Sequence, residues 1–376
     1  MDKTVPLLTW AAKEGVTIAG IRPETQLKSG HGMMATRDLK KGEVLVTVPT
    51  RAIRSRETVP ASILNNVPET MTIHGLLAAA FLLNPPAESW RRLIPERKDF
   101  DTFPFFWPKA AQELLPAEAK RLVITQQSNF DQDWKNIASG FPEISLEGYE
   151  YAWFVVGTRS FYYETPQTIL YPWHDRLALL PIADLFNHAE IGCQVSHSAE
   201  EGYKVTADRA YGKGSEVCTS YGDHSNDFLL AEFGFLLRNN AHDQVYLDQL
   251  LLPKLDAERR GFLEQRKRLG AFLLKPSSRP CPRTVIALCL VCAPATDWKD
   301  IVDGKKSSKS TLTAANKLLQ GILEAFLVEI TAHRRKVTAL DNASDVCRTL
   351  LAERWDQIDK LVRKAVQLTI SNNAIQ

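Results

Sequence analysis

The chain has 376 residues, of which 44% are hydrophobic and 24% are charged, a composition that excludes a disordered, collagen-like or coiled-coil protein. Its length exceeds the roughly 250–300 residues at which a single hydrophobic core usually stops growing, so we expect two domains. The 46 lysine and arginine residues nearly balance 44 aspartate and glutamate residues, giving a net charge of +2, so we expect no nucleic-acid partner held by broad phosphate neutralisation.

The longest uncharged apolar runs, residues 75–83 and 285–295, are about half the roughly 20 residues that cross a bilayer. We therefore predict core helices and no membrane partner. Residues 1–14 lack a basic segment leading into a long apolar stretch, so we expect no secretory signal and a location inside the cell, in the cytoplasm, the nucleus or both. Cys289 and Cys292 lie in the second apolar run without a nearby histidine, which predicts core packing and no metal site.

The first third of the chain changes from helical to β-rich and back to helical patterning. Residues 4–14 have the spacing of a short amphipathic helix. Residues 16–49 contain β-rich runs on either side of a segment with glycine and lysine, which predicts a hairpin-like start. Residues 63–136 are helical in pattern with several proline breaks, so we predict a helical block set between β elements.

The remainder alternates again before it becomes helical. Residues 146–163 resemble one long helix rich in aromatic side chains, and residues 177–235 predict short strands and turns marked by glycines. Beyond about residue 240 the pattern is helical to the end. Residues 312–337 and 345–370 carry apolar side chains at spacings of three and four, so we predict an antiparallel helical pair.

The first unusual motif is Ser29-Gly30-His31-Gly32-Met33, which lies between two β-rich runs. Its two glycines would let the backbone approach a ligand and offer amide groups as donors. A tight hairpin turn would use the same residues, so the motif alone leaves both interpretations open. It is not a GxGxxG nucleotide motif, because no glycine stands three residues beyond Gly32 and no helical pattern follows.

Two further motifs place polar groups next to apolar stretches. In residues 180–188, LPIADLFNH, a carboxylate, an amide and an imidazole follow an apolar approach, and such groups must be hydrogen-bonded. An Asx-type turn with a surface histidine is the alternative. Residues 220–227, SYGDHSND, precede another apolar run, and their Tyr-Gly pair is also compatible with a simple β-turn.

The fourth motif is Thr158-Arg159-Ser160-Phe161, which places an arginine in an otherwise apolar stretch. An unpaired charge there would be costly unless the guanidinium meets an anion.

In this order and spacing, the four motifs resemble the SET-domain protein methyltransferases of the branch typified by the plant Rubisco large-subunit lysine methyltransferase. The match covers residues 6–237. The resemblance implies an α+β fold class, with a SET-domain β fold that includes a pseudo-knot and a helical insert, followed by an all-α C-terminal domain. The implied boundaries are 1–240 for the SET domain, about 63–145 for its insert, and 241–376 for the helical domain, which resembles a substrate-binding domain.

The resemblance also implies that S-adenosylmethionine (SAM) is the cofactor and that it lies on the glycine hairpin. Gly30, His31 and Gly32 would offer their backbone to it. Arg159 would meet the methionine carboxylate, which would explain an arginine in apolar surroundings.

Four more residues in or near the second and third motifs would complete the cofactor site. By resemblance, Asn187 and His188 hold the adenine and amino-acid ends of the cofactor, and they are brought next to Ser220 and Tyr221 by the pseudo-knot. Phe235 would pack on the adenine. Tyr221 would contact the cofactor and takes the position of the catalytic tyrosine.

Two residues are assigned to the substrate side. Asp184 would either support Asn187 and His188 or line the substrate channel. Phe233 stands where many relatives carry a second tyrosine, and an apolar core residue is its alternative interpretation. If Phe233 lines the channel, we expect it to admit a partly methylated amine and to favour di- or trimethyl products. Backbone carbonyls or a neighbouring side chain such as Thr219 would be the alternative means of restricting the product.

The implied activity is transfer of a methyl group to a protein lysine, without a metal. The chain has no cysteine between Phe235 and Cys281, where histone-directed SET enzymes often carry a zinc-binding cluster, so the resemblance favours a non-histone protein substrate. Two alternatives are a non-catalytic SET scaffold that binds a protein partner and a SET fold reused for a small molecule. Retention of Asn187, His188 and Tyr221 argues against a degenerate scaffold. A histidine acceptor and the oligomeric state stay open at this point.

Overall fold

The structure, a computed structural model, describes residues 3–27, 30–305, 307–371 and 374–375. The chain divides into two compact units. The first consists of Met1–Phe100 and Thr125–Asp223, and the second of Asp101–Ile124 and His224–Gln376. Part of the helical block thus belongs to the second unit, and that unit resumes at His224; the domain boundaries drawn at 240 and 241 stay a prediction. The sequence predictions also include residues 1, 2, 28, 29, 306, 372, 373 and 376, which lie outside the described residues.

The strands are short and, apart from two, lie in the first unit. In chain order they are β1 Thr17–Ile18, β2 Ile21–Leu27, β3 Gly30–Ala35, β4 Val44–Val48, β5 Ser160–Tyr162, β6 Leu177–Leu179, β7 His188–Ser198, β8 Gly202–Thr206, β9 Glu216–Val217, β10 Val245–Tyr246 and β11 Leu273–Leu274. The predicted β-rich start at residues 16–49 is confirmed by the first four strands.

The helices fill the predicted helical block and the C-terminal part of the chain. They are α1 Thr4–Lys13, α2 Ala61–Leu64, α3 Ile73–Leu83, α4 Glu88–Arg91, α5 Lys109–Gln112, α6 Ala117–Gly140, α7 Leu146–Arg159, α8 Asn226–Phe233, α9 Asp248–Leu251, α10 Ala257–Gln265, α11 Pro282–Cys292, α12 Trp298–Val302, α13 Lys309–Thr338 and α14 Asp345–Ile370. Among the described residues, none of these helices combines the length and apolar character that a membrane span requires.

Three small antiparallel sheets form the β part of the first unit. Their strand orders are β1-β4-β8-β7, β2-β3-β9 and β5-β6. In the second sheet β3 lies in the middle, with Met33 opposite both Pro23 on β2 and Val217 on β9. The glycine motif therefore starts a central strand that pairs with the preceding strand β2 on one side and with the distant strand β9 on the other.

The predicted long helix at residues 146–163 is wrong in its last residues. Helix α7 begins after Ser145, whose hydroxyl accepts a hydrogen bond from the Gly148 amide, and it ends at Arg159. Ser160 is already extended, with φ −84° and ψ 157°, and pairs with Leu179 on β6. Strand pairing thus overrides the aromatic helical pattern and places Arg159 at the junction of a helix and a strand.

The prediction of strands and turns up to residue 235 misses helix α8. The Ser225 hydroxyl caps this helix by accepting a hydrogen bond from the Phe228 amide at 3.3 Å. Gly234 ends it in the left-handed region at φ 72°, a conformation that glycine adopts without steric cost. The sequence SNDFLLAEFG therefore contains both a start and a stop signal of a short helix.

In the second unit the predicted antiparallel pair is confirmed by α13 and α14. The Asn316 side chain near the start of α13 donates to the Thr369 carbonyl near the end of α14 at 2.7 Å. Arg334 and Asp356, closer to the connecting turn, form an ion pair at 2.7 Å. Cys289 on α11 lies in the core that these helices build, as predicted, while the two-residue ladder of β10 and β11 adds strands to the region expected to be wholly helical.

Candidate functional site

Asn187 joins the glycine hairpin to the second motif. Its amide nitrogen donates to the His31 carbonyl at 2.9 Å and to the Glu216 carboxylate at 2.7 Å. Gly32 is required for this approach, since a Cβ at this position would lie 2.8 Å from the Asn187 Nδ2 atom and 2.5 Å from Leu27. Two motifs that are far apart in sequence therefore meet on strand β3.

Tyr221 is joined to the same segment, as the resemblance implies. Its backbone amide donates to His188 Nδ1 at 3.0 Å, and its hydroxyl donates to the Phe186 carbonyl at 2.8 Å. The rings of Tyr221 and His188 are 5.1 Å apart. Two residues of the second motif thus hold Tyr221: His188 fixes its backbone and Phe186 fixes its hydroxyl.

The segment before Tyr221 runs alongside the start of β7. The Thr219 amide donates to the Asn187 carbonyl at 2.9 Å, and the Cys193 amide donates to the Cys218 carbonyl at 2.8 Å. Gly192 permits this contact, because a Cβ there would lie 2.5 Å from the Thr219 carbonyl carbon. The close backbone approach brings the predicted Asn-His and Ser-Tyr segments together.

Arg159 and Asp184 form the third part of the site. Arg159 Nη1 donates to the Asp184 backbone carbonyl at 2.6 Å. The Asp184 carboxylate is buried and accepts a hydrogen bond from the Trp90 indole nitrogen at 2.7 Å. The hydrogen bond that the structure gives this carboxylate comes from Trp90. Both predicted roles of Asp184, support of Asn187 and His188 or lining of the substrate channel, stay predictions.

The turn that carries Asp184 has a strained entry. Ile182 has φ 71° and is fully buried, a conformation that β-branched residues rarely adopt. Such outliers persist only where the surrounding structure enforces them, and they are common at functional sites. The strain therefore supports a functional role for residues 183–188.

Burial controls the protonation of the site. It raises the pKa of Asp184 to about 6, against the opposing effects of Arg159 and of the Trp90 hydrogen bond. It also raises the pKa of Tyr221 to about 12, so this hydroxyl stays neutral near pH 7. Burial, followed by the nearby charge of Arg159, lowers the pKa of His31. The site therefore combines a fixed cation, a neutral imidazole and a neutral phenol.

Phe233 and Phe235 belong to the second unit. Their ring centroids lie 6.3 Å apart, and Phe233 is also 6.3 Å from Phe228 within the same unit. Both side chains are partly exposed. Their predicted places, on the substrate and on the adenine, stay predictions.

Several buried polar atoms of the first unit have no partner within the described part of the chain. Four of them belong to residues described above, namely His31 Nδ1, Arg159 Nε, Asp184 Oδ1 and Thr219 Oγ1, and another, His197 Nε2, lies on strand β7. Unpaired buried groups are costly unless a ligand completes them, and this set contains a cationic donor, a carboxylate acceptor and two groups that can donate or accept. At Gly30, which has φ 90°, no atom of the described residues lies within 4 Å of an added Cβ, so among these residues the backbone is open there. These residues fit a zwitterionic nucleoside such as SAM.

Sequence reasoning missed two residues of this site. Trp90 is 94 residues before Asp184, and no local pattern connects them. Glu216 reads as an ordinary polar residue at the start of a strand, although it contacts Asn187. Thr219, by contrast, was named from the sequence because it directly precedes the Ser-Tyr motif, and its predicted effect on the product stays a prediction.

Comparisons with known proteins place these features in a family. A family model described as SET domain matches residues 30–222, just over half of the chain. SET domain-containing protein 4 of Homo sapiens is 23% identical over 96% of this chain and 90% of its own length. The ribosomal lysine N-methyltransferase set11 of Schizosaccharomyces pombe is 21% identical over 68% of this chain and 67% of its length. The actin-histidine N-methyltransferase of Mus musculus is 25% identical over 82% and 56%, respectively.

The fold is shared with solved structures. The SET domain of LSMT bound to lysine and AdoHcy has a TM-score of 0.70 at 15% identity, covering 98% of this chain and 91% of that one. A structure of Rubisco LSMT bound to AdoMet covers 99% of this chain and 92% of that one, with a TM-score of 0.66 and 15% identity. The predicted SET-domain fold with a helical C-terminal region is confirmed. The chain belongs to the SET domain family.

Proposed function

We propose that this chain is a SAM-dependent methyltransferase that modifies a lysine side chain of a non-histone protein. The buried Tyr221 hydroxyl carries the proposal. Because this hydroxyl donates its proton to the Phe186 carbonyl, the phenol oxygen keeps lone pairs that can accept a hydrogen bond from an amine. A phenol in that state can orient a nucleophile without supplying a charge.

The cofactor side rests on the unpaired donors and acceptors of the first unit. Arg159 Nε and the open backbone at Gly30 would hold the carboxylate and the main body of the cofactor. When bound, SAM supplies a methyl group on a sulfonium centre. Arg159 is already fixed by its bond to the Asp184 carbonyl, so little ordering is needed when the ligand arrives.

The acceptor amine must lose a proton before it can react. A pH of 7 is about 3.4 units below the pKa of a free lysine, so removing the proton costs about 4.6 kcal/mol. The cation of Arg159 lies close enough to lower the pKa of His31, and burial raises the pKa of Tyr221. The same two effects would favour the neutral form of an entering amine.

The acceptor side chain and the class of protein substrate are proposals that go beyond membership of the family. We infer lysine because the site offers a hydrogen-bond acceptor for an amine. One relative is named as a ribosomal lysine N-methyltransferase, and one solved neighbour was bound to lysine. A histidine acceptor is the second candidate, favoured by the similarity to an actin-histidine N-methyltransferase. A non-histone substrate follows from the cysteine-free stretch between Phe235 and Cys281.

We further infer that the helical part after about residue 240 selects the protein substrate. The proposal is supported by the separate helical core of this part of the chain. Val328 on α13 is 71% exposed, so a substitution there can test the proposal without disturbing that core. A location inside the cell is part of the same proposal.

Two measurements test this function. Calorimetry with SAM in the presence of a chelator should show binding without added metal. Tritium transfer from labelled SAM into a lysate of the source organism, followed by mass spectrometry of the labelled band, should identify a methylated lysine. Methylated histidine in that band would replace the lysine assignment by the second candidate. Absence of SAM binding at millimolar concentration would overturn the enzyme proposal and favour a scaffold or a site for another small molecule.

A further inference from the structure

Trp90 contacts the candidate site although it belongs to none of the four motifs. It lies on the short helix α4 and is only 2% exposed. Its indole nitrogen donates to Asp184 Oδ2 at 2.7 Å, and its ring stacks on Trp10 of α1 with centroids 5.8 Å apart and planes inclined by 22°. Stacking on Trp10 thus holds the indole ring, while its nitrogen is directed at the Asp184 carboxylate.

Asp184 connects this indole to the rest of the site by two different groups. Its side chain takes the Trp90 hydrogen bond, while its backbone carbonyl accepts from Arg159. The turn at residues 183–185 follows the strained Ile182 and packs against strand β3, which carries His31. Any movement of the Asp184 side chain is therefore coupled to the carbonyl that orients the Arg159 guanidinium.

We propose that Trp90 is a positioning residue for the cofactor site, which acts by holding the Asp184 carboxylate charged and the turn at residues 183–185 in place. This inference rests on the proposed function, because it assumes that the site receives SAM. An indole nitrogen only donates, so it stabilises the carboxylate and not its protonated form. The second oxygen, Oδ1, has no hydrogen-bond partner among the described residues, although the backbone at Ile182 and Asp184 also lowers the pKa of this carboxyl, and Oδ1 can accept from a cationic group of the cofactor.

The groups around Asp184 determine the sign of a pH effect. Burial disfavours the charged carboxylate, whereas Arg159 on α7, Trp90 on α4 and backbone hydrogen bonds at Asp184 and Ile182 favour it, and the pKa of Asp184 is about 6. Tyr221 is neutral in this range, and burial and Arg159 keep the pKa of His31 on β3 below its usual value. Removing the indole donor should raise the pKa of Asp184, so the charged form should be lost at a higher pH.

The binding test compares wild type with Trp90→Phe, which keeps a ring but removes the donor. SAM affinity is measured by calorimetry from pH 5.5 to pH 9. We expect wild-type affinity to fall below about pH 6, and the fall to start about one pH unit higher in the variant, a typical effect of one lost hydrogen bond to a charge. This shift makes binding roughly threefold weaker at pH 6.5, with the two proteins converging at high pH.

Trp10→Phe is the matched control, because it makes the same change in the same aromatic stack without touching Asp184. We expect its pH dependence to equal that of the wild type. Asp184→Asn is the second variant: it removes the ionisable group, so the loss of affinity near pH 6 should disappear with Trp90 still in place. A merely structural role of Trp90 would weaken binding at all pH values and leave its pH dependence unmoved.

Thermal unfolding of the protein without cofactor gives an independent measurement. A carboxyl whose pKa is raised from about 3.9 in the unfolded chain to about 6 in the folded one costs stability as pH rises between these values. In Trp90→Phe that decline should continue about one pH unit further, and it should be absent in Asp184→Asn.

The inference is overturned if neither profile moves in Trp90→Phe or if Trp10→Phe moves both equally. If wild type binds no SAM, the proposed function fails and the positioning role fails with it. If wild type binds SAM and only the Trp90 profiles are unchanged, the function stands and this inference alone is wrong.

Discussion

Replacement of Tyr221 by phenylalanine tests the chemical step most directly. The change removes one oxygen that is held 2.8 Å from the Phe186 carbonyl and leaves the ring beside His188. The hydroxyl is neutral near pH 7, since burial raises its pKa to about 12, so no charge is lost with it. Loss of one oriented hydrogen bond in a buried site typically costs about 10²–10³ in kcat, or about 3–4 kcal/mol.

The assay measures single-turnover methyl transfer and SAM affinity for the same protein preparations. We expect kcat to fall by the full factor while the SAM dissociation constant changes by less than about threefold, because the hydroxyl acts mainly in the transition state. The wild-type rate should also show no titration of Tyr221 below about pH 11.

A second buried tyrosine of the first unit supplies a matched control. Tyr203 also has a pKa raised to about 12 by burial, and its hydroxyl donates to the Tyr162 carbonyl at 3.4 Å. Tyr203→Phe removes the same atom from a comparable environment, so it should leave kcat nearly unchanged. Near-normal turnover of Tyr221→Phe, or an equal loss in both variants, would refute the catalytic role of Tyr221.

Three further predictions concern the second unit. Arg354→Met should lower the free energy of unfolding of this unit by about 3–5 kcal/mol in denaturant titrations, because it leaves Asp227 and Asp243 buried without their cation. Adding Asp227→Asn and Asp243→Asn to this variant should recover much of the loss. A triple variant that recovers nothing would contradict this reasoning. Val328→Asp should raise the apparent KM for the protein substrate and leave kcat intact, whereas an equal loss in both would indicate misfolding. Phe233→Tyr should shift mass-spectrometric product distributions from di- or trimethyl towards monomethyl, and an unchanged distribution would mark Phe233 as a packing residue.

Local signals in the sequence were sufficient for much of the fold. The β-rich start, the helical block and the pair α13 and α14 follow from apolar spacing, since each buries one face along its own length. The errors fall where partners are remote. Ser160 leaves the helical pattern because Leu179 pairs with it, and α8 is defined by its cap at Ser225 and its stop at Gly234 rather than by periodicity.

The candidate site shows the same division more sharply. The motifs identified Asn187, His188 and Tyr221, and the structure joins them by hydrogen bonds. Glu216 and Trp90, which contact the motif residues, could not be predicted, because the sequence around a single side chain does not indicate a partner many residues away. Glu216 contacts Asn187 only because strand β9 pairs with strand β3, and this pairing has no local signal in the sequence.

The helical insert is where this limit matters most for function. Its pattern predicts helices and nothing about the site, yet α4 places Trp90 against the buried carboxylate of Asp184. A buried carboxylate without a donor would tend to take up a proton, since burial already raises its pKa to about 6. The motif strings therefore specify the groups that would meet the ligands, while the insert contributes the indole that helps to keep one of those groups charged. Variation in the insert can accordingly alter the pH range of the site without changing any of the four motifs.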